Sequence, residues 1–297
     1  MLTYDKVSLT YSGTAEPVRA LKNYELAVKA GEPVSLIGPS GCGKSTSLFL
    51  AAGLLQPTEG RVLVDGESVD KPRLSTALIL QDFGLLPWKT VYENAELGLR
   101  IRRFSQVERK RRTEAALEQV GLSEFVRMYP HELSGGMRQR LALARTLALD
   151  VDLMLMDEPL SSLDALLRES LQDLLLELWL SRGYAQVLVT HSIEEAVFLG
   201  KRIIVMSSRP GRVSSIVENP GMGLADYRGS EEFYRTCQRV RVLLYQGGIA
   251  PAGNEAAGGS GGRAATGPQA AGNGVAAGNE AAGGSTYTED SQVSENA

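Results

Sequence analysis

The chain has 297 residues, 43% hydrophobic and 22% charged, which is ample for one core and ordinary for a globular domain. Its formal net charge of −4 belongs to residues 247–297, so residues 1–246 carry 30 basic and 30 acidic side chains and show no bias towards nucleic acid. Two cysteines, Cys42 and Cys237, make no disulfide framework and fit a reducing compartment.

Residues 1–31 read as a strand-rich lead-in without the charged and long apolar regions of an export signal. A short buried strand follows at Val34-Ser35-Leu36-Ile37, and 45–55 reads as a helix with Leu48, Leu50 and Leu54 among its apolar positions. Between them lies Gly38-Pro39-Ser40-Gly41-Cys42-Gly43-Lys44-Ser45-Thr46. Strand, glycine-rich loop and helix in that order form a phosphate-binding loop. Its glycines turn backbone N–H groups inward on phosphates, Lys44 reaches the terminal phosphates and the Ser45 hydroxyl coordinates Mg²⁺. The helix N-terminus adds unpaired N–H groups and a positive dipole end. The substrate this implies is ATP, with Mg²⁺ as cofactor.

Further strands are expected near 61–65 and 76–80. After Gln81 the pattern turns helical at 90–102, 106–120 and 136–149, which predicts a helical insertion over about 82–150. Strands and helices then alternate: strand 152–156, helix 164–182, strand 186–190, helix 193–199 and strand 202–207. Such alternation predicts a largely parallel sheet covered by helices. The apolar segment Leu153-Met154-Leu155-Met156 ends in Asp157 and Glu158, and a buried strand releases such carboxylates at its C-terminal edge, where open α/β sheets bind ligands. Asp157 there would hold Mg²⁺, and Glu158 would polarise the attacking water.

Residues 247–297 contain 13 Gly and 13 Ala and repeat the nonapeptide Ala-Gly-Asn-Glu-Ala-Ala-Gly-Gly-Ser from Ala252 and from Ala277. That composition cannot build a core and is expected to be a disordered, dispensable tail. No run approaches the roughly 20 apolar residues of a membrane span. The chain is therefore expected to be soluble and held at a membrane by a partner.

In addition to the phosphate loop and acidic strand end, the chain carries Gln81 after a strand, Leu133-Ser134-Gly135-Gly136, the turn Ser162-Leu163-Asp164 and His191 after the apolar Val187-Leu188-Val189-Thr190. In this order and spacing the motifs resemble the ATP-binding subunit of an ABC transporter over residues 2–246. The resemblance implies a phosphate-loop NTPase (RecA-like) α/β core with an antiparallel β lead-in and an inserted helical subdomain. It implies Gln81, Glu158 and His191 as catalytic residues and Ser45, Gln81 and Asp157 as Mg²⁺ ligands. Nucleotide contacts would come from Tyr11, stacked on adenine, from the nine loop residues, and from Ser134, Gly135, Gly136 and Asp164. Ser134 to Gly136 open a helix and would close on the γ-phosphate held by a second copy, so two chains sandwich two ATP molecules.

Leu86-Pro87-Trp88, the stretch from Tyr129 to Arg140, Glu194-Glu195-Ala196-Val197-Phe198-Leu199 and Ser208-Arg209-Pro210-Gly211-Arg212 look like the subgroup that imports nitrate, taurine, alkanesulfonates and related compounds. Leu160-Ser161-Ser162 departs from the subgroup's more usual Phe-Gly-Ala. The resemblance implies permease subunits, an extracytoplasmic substrate-binding protein, the cytoplasmic membrane face as location, and no nucleic acid partner. A soluble ABC ATPase of translation or DNA repair is the alternative; such chains usually carry two cassettes or a long coiled coil, and this one has a single cassette. A phosphate-loop kinase would have no use for Leu133 to Gly136 or His191, and a binding-only module would not need Glu158. The basic cluster Arg102-Arg103 with Arg109-Lys110-Arg111-Arg112 reads as a solvated helix face, or as contact with a membrane partner, and His131 as a loop residue before the Leu-Ser-Gly-Gly motif.

Overall fold

The computed structural model describes residues 1–13, 16–161 and 163–246. The expected disordered tail, 247–297, lies outside the described residues. A four-stranded antiparallel sheet of order β2-β1-β4-β5 is built from β1 (Leu2–Tyr11), β2 (Val18–Val28), β4 (Glu59–Val64) and the two-residue β5 (Glu67–Ser68). The main sheet has six strands in the order β10-β9-β3-β8-β7-β6. These are β3 (Pro33–Ile37), β6 (Thr76–Ile79), β7 (Leu153–Asp157), β8 (Ala185–Val189), β9 (Arg202–Met206) and β10 (Val213–Glu218). All are mutually parallel except β10, which pairs antiparallel with β9 at the edge.

The sheet's inner strands are buried on both faces, which is why β3, β7 and β8 read as nearly continuous apolar runs, interrupted within the strands by the buried Ser35 and Gln186. Alternate residues feed two cores. Leu153 and Leu155 of β7 join Val34 and Leu36 of β3 and the antiparallel sheet, with α1 (Lys44–Ala51) contributing Leu48 and Leu50. Met154 and Met156 face the other core, shared with α2 (Val91–Ile101), α3 (Gln106–Gln119), α4 (Gly135–Leu147), α5 (Ala165–Arg182), α6 (Ile193–Leu199) and α7 (Glu231–Gln246). In the first core Tyr4 meets Tyr24 edge-on, with ring centroids 5.1 Å apart, and donates to the Ser47 carbonyl at 2.8 Å. That contact ties β1 to α1.

Helices α2 to α4 occupy the stretch between β6 and β7. Thr90 opens α2 with a capping box to Glu93, and Ser105 caps α3. Asn94, fully buried, accepts from the Leu86 N–H at 2.9 Å and donates to the carbonyls of Leu86, Lys89 and Thr90. The loop bearing the exposed Trp88 is thereby held on α2. Most of the basic cluster is neutralised within the chain: Arg109 pairs with Glu96 at 2.8 Å, Arg111 with Glu108 at 2.7 Å and Arg112 with Asp150 at 2.6 Å. Both cysteines are free and buried.

Candidate nucleotide site

Five loops meet at one edge of the main sheet because β6, β7, β8, β3 and β9 run parallel and each delivers its following loop there. From β3 comes Gly38 to Thr46. Gly43 caps α1 at φ 100°, and a Cβ at this position would stand 2.7 Å from Leu21 Cδ2 and 3.1 Å from the Ala20 carbonyl. Glycine is required there by both the left-handed backbone and the close approach of β2. Lys44 is almost fully buried, and its ammonium donates to the Gly38 carbonyl at 2.8 Å and the Pro39 carbonyl at 3.0 Å.

From β7 come Asp157 and Glu158. Asp157 Oδ1 accepts from the Ser45 hydroxyl at 3.0 Å. Burial holds this carboxyl above the ordinary 3.8, the Glu158 charge adds to the rise, and the Ser45 hydrogen bond and Lys44 pull against it. Glu158 adopts φ 47°, a left-handed conformation that costs a non-glycine residue about 1 kcal/mol or more and is concentrated at functional sites. Its N–H donates to the Val189 carbonyl at 2.9 Å, and its Oε2 lies 3.2 Å from His191 Nδ1 on the loop after β8.

The structure brings Tyr11, Ser40, Gly41, Gly43, Lys44, Ser45, Thr46, Glu158 and His191 into one cleft of about 300 Å³. Tyr11, partly exposed, lies with its hydroxyl 3.2 Å from Thr46 Oγ1. Gly38, Pro39 and the buried Cys42 form the rest of the loop's frame. Gln81, after β6, lines an adjoining hollow with Asp157. Ser45, Asp157 and Gln81 are a hydroxyl, a carboxylate and an amide, a hard oxygen set that fits Mg²⁺ bound together with substrate phosphates, whereas no cluster of three or more His, Cys, Asp or Glu that could hold a metal occurs among the described residues.

Ser134, Gly135, Gly136 and Asp164 do not line this cleft. Ser134 caps α4 by accepting from the Met137 N–H at 3.3 Å, and Asp164 caps α5 by accepting from the Leu167 N–H at 3.0 Å. A Cβ on Gly136 would fall 2.2 Å from Leu167 Cδ2, so glycine permits the start of α4 to pack against α5. His131 is stacked on Tyr129 in a short 3₁₀ turn, away from the cleft.

Sequence reasoning did not single out several residues that support the site. Gln139 of α4 donates to the Pro159 carbonyl, joining the Leu-Ser-Gly-Gly helix to the segment after Glu158. Arg145 donates to the carbonyls of Phe83 and Gly84 at 2.7 and 2.6 Å, holding the loop that follows Gln81. Arg209 lines the cleft itself. Gln139 lies in the stretch from Tyr129 to Arg140 that marks the importer subgroup, but its role here and that of Arg145 carry no local sequence signal, because each acts across a distance set by the tertiary fold.

Glu195, buried under the His191 turn, is another. The Thr190 hydroxyl accepts from the Ser192 N–H at 3.0 Å and donates to Glu195 Oε2, while Oε1 has no partner among the described residues. Burial pushes the carboxyl from 4.5 up to about 7, opposed by Thr190, His191 and Arg168, with Glu158 adding to the rise. The unfolded chain ionises this group first, so its contribution to stability is complete below pH 4.5 and is lost as pH rises through about 7. Glu195→Gln is expected to remove a decline on the order of 3 kcal/mol between pH 4.5 and 8. Urea denaturation of both proteins across that range checks this, and parallel stability curves would refute it.

A phosphate loop on β3, an acidic end on β7 and a parallel sheet backed by helices define a phosphate-loop ATPase cassette. The family model described as "ABC transporter" matches residues 21–161. The taurine import ATP-binding protein TauB of Pelagibacter ubique is 41% identical over 236 residues, covering 77% of this chain and 89% of that one. The dimeric structure of MJ0796, described as a bacterial ABC transporter cassette, superposes with a TM-score of 0.67 at 35% identity, covering 73% of this chain and 98% of that one. A dimeric post-hydrolysis state of the same cassette bound to ADP and Pi matches equally. The chain belongs to the ABC transporter family, and it is an ATP-binding, ATP-hydrolysing cassette of that family. The resemblance to the nitrate, taurine and alkanesulfonate importer subgroup agrees with these relatives.

Proposed function

We propose that residues 2–246 form the nucleotide-binding domain of an importer, with residues 82–150 as its helical subdomain. Two copies would close on two ATP molecules and drive separate permease subunits that take up taurine, an alkanesulfonate, nitrate or a similar small solute delivered by an extracytoplasmic binding protein. The chain would work at the cytoplasmic face of the membrane; no helix among the described residues is long and apolar enough to cross one. The observation that carries the catalytic reading is the contact of Glu158 with His191 in the same cleft as Lys44 and Ser45. Direction and substrate class are supported by the taurine import relatives.

In this reading Lys44 and the loop N–H groups bind the β- and γ-phosphates, and Tyr11 stacks on adenine. Ser45, Asp157 and Gln81 hold Mg²⁺, which supplies neutralisation of phosphate charge when bound. Glu158 Oε2 accepts a proton from water as the water oxygen bonds to the γ-phosphorus and the bond to the β–γ bridging oxygen breaks, leaving ADP and phosphate. His191 orients Glu158 and reaches the γ-phosphate. Ser134, Gly135, Gly136 and the exposed Asp164 would meet the nucleotide of the second copy, with the first-turn N–H groups of α4 as the anion donors.

Uptake by cells lacking the gene tests the whole reading. Accumulation of radiolabelled taurine, an alkanesulfonate or ¹⁵N-nitrate is expected to fall for at least one compound and to return with the wild-type chain but not with Glu158→Gln. Unchanged uptake of all three would reject the substrate class.

A further inference from the structure

The segment after β9, Ser207-Ser208-Arg209-Pro210-Gly211-Arg212, is welded to the phosphate loop at two points. Gly211 is the first: a Cβ there would sit 1.9 Å from the Cys42 carbonyl oxygen, so the backbones touch at a separation that only glycine allows. The Gly211 N–H donates to the Ala20 carbonyl at 2.8 Å and its carbonyl accepts from the Lys22 N–H at 3.2 Å, which fixes the segment against β2 as well. Arg209 is the second. Its Nε donates to the Gly41 carbonyl at 3.1 Å, and a Cβ on Gly41 would stand 2.7 Å from its Nη2. Gly41 lies at φ +72°, so glycine there serves both the left-handed turn and the guanidinium lying against it.

Arg209 therefore lines the same cleft as Lys44, Ser45 and Tyr11, on the loop that follows β9, the strand next to the one that carries the phosphate loop. Among the described residues no carboxylate lies within ion-pair distance of it, and the Nε bond to Gly41 is the hydrogen bond it makes. A planar cation held at the rim of a polyphosphate cleft, with its Nη groups uncommitted, has the geometry for charge-assisted bonds to phosphate oxygens. We propose that Arg209 is a nucleotide-contacting residue whose guanidinium, positioned by the Gly41 carbonyl, binds the phosphate chain of ATP.

This inference rests on the nucleotide reading of the cleft, and the experiment separates the two. Equilibrium binding of ATP, ADP and AMP is measured for the wild type, Arg209→Ala and Arg209→Lys, together with modification of Arg209 by phenylglyoxal, followed by peptide mass spectrometry, with and without each nucleotide. A wild type that binds no ATP sinks the nucleotide reading itself. If it binds, the alanine variant is expected to lose about tenfold in affinity for ATP and ADP, as for one charge-assisted bond, and much less for AMP. The lysine variant should recover part of the loss, and ATP should protect Arg209 from modification better than AMP does. Unchanged ATP affinity in Arg209→Ala overturns the proposal. So does an equal loss for all three nucleotides without protection, which would make Arg209 a prop for Gly41 only. Equal protection by AMP and ATP would move the contact to the ribose or base and overturn the phosphate assignment.

Discussion

Glu158→Gln is expected to lower the turnover number for ATP by roughly 10² to 10⁴ while leaving ATP affinity within about twofold of the wild type. The substitution keeps the size of the side chain and an oxygen that can face His191 Nδ1, now 3.2 Å from the carboxylate, but it removes the proton acceptor. The left-handed backbone at Glu158 should tolerate glutamine as it tolerates glutamate, since both are unbranched at Cβ. The variant should therefore fold normally, bind Mg²⁺-ATP and accumulate as an ATP-bound dimer that does not reopen. Steady-state phosphate release gives the turnover number, equilibrium ATP binding gives the affinity, and light scattering in ATP shows the dimer. Full turnover in the variant would remove Glu158 from the chemistry; lost turnover together with lost affinity would mean that it binds substrate rather than activating water.

The elements that sequence periodicity located are those whose packing is uniform along the segment. β3, β7 and β8 are buried on both faces and read as nearly continuous apolar runs, and α2 and α3 begin after Thr90 and Ser105, whose side chains cap them. Val213–Glu218 escaped because β10 is an edge strand: only Val217 is buried, its other residues are exposed or half-buried, and two of its six are serine. Glu67–Ser68 escaped because two residues carry no period. The network that fixes the end of the sheet was equally invisible. Asn219 donates to the carbonyls of Val197 and Gly200, both at 2.7 Å, and accepts from the Tyr227 hydroxyl; nothing in the local sequence announces a buried asparagine that joins three segments.

At the site the difference is between residues that chemistry demands and residues that geometry recruits. Lys44, Ser45, Asp157 and Glu158 were legible because a phosphate loop needs glycine, lysine and a hydroxyl at fixed spacing, and a strand end is where a carboxylate must emerge. Glu195 and Gln139, like Arg209, stand in stretches that mark the importer subgroup, but their roles at the site are not legible there, because each matters through one partner brought near by folding: Thr190 for the first, Pro159 for the second. Arg209 is the same case. Its motif was visible and was read only as a mark of the importer subgroup, since a sequence does not reveal that β9 lies beside β3 and so delivers its loop to the same edge.

Lys44→Met is expected to weaken ATP binding by about 10²-fold without destabilising the nucleotide-free protein. In the folded chain Lys44 is 7% exposed and its ammonium donates to two loop carbonyls. An ammonium so enclosed costs desolvation energy that two neutral acceptors return only in part, and a polyphosphate completes the compensation. Methionine keeps the apolar stem and removes the charge, so the penalty disappears along with the phosphate contact. Thermal melting resolves both effects. ATP at a hundred times the wild-type Kd should stabilise the wild type by about 2.7 kcal/mol and the variant, with its Kd raised a hundredfold, by only about 0.4 kcal/mol. The melting temperature without nucleotide should hold or rise. An ATP-induced shift equal to the wild type's would show that the loop N–H groups bind the phosphates without Lys44, and a large drop without nucleotide would show that the ammonium's bonds to Gly38 and Pro39 are a structural strut of the loop.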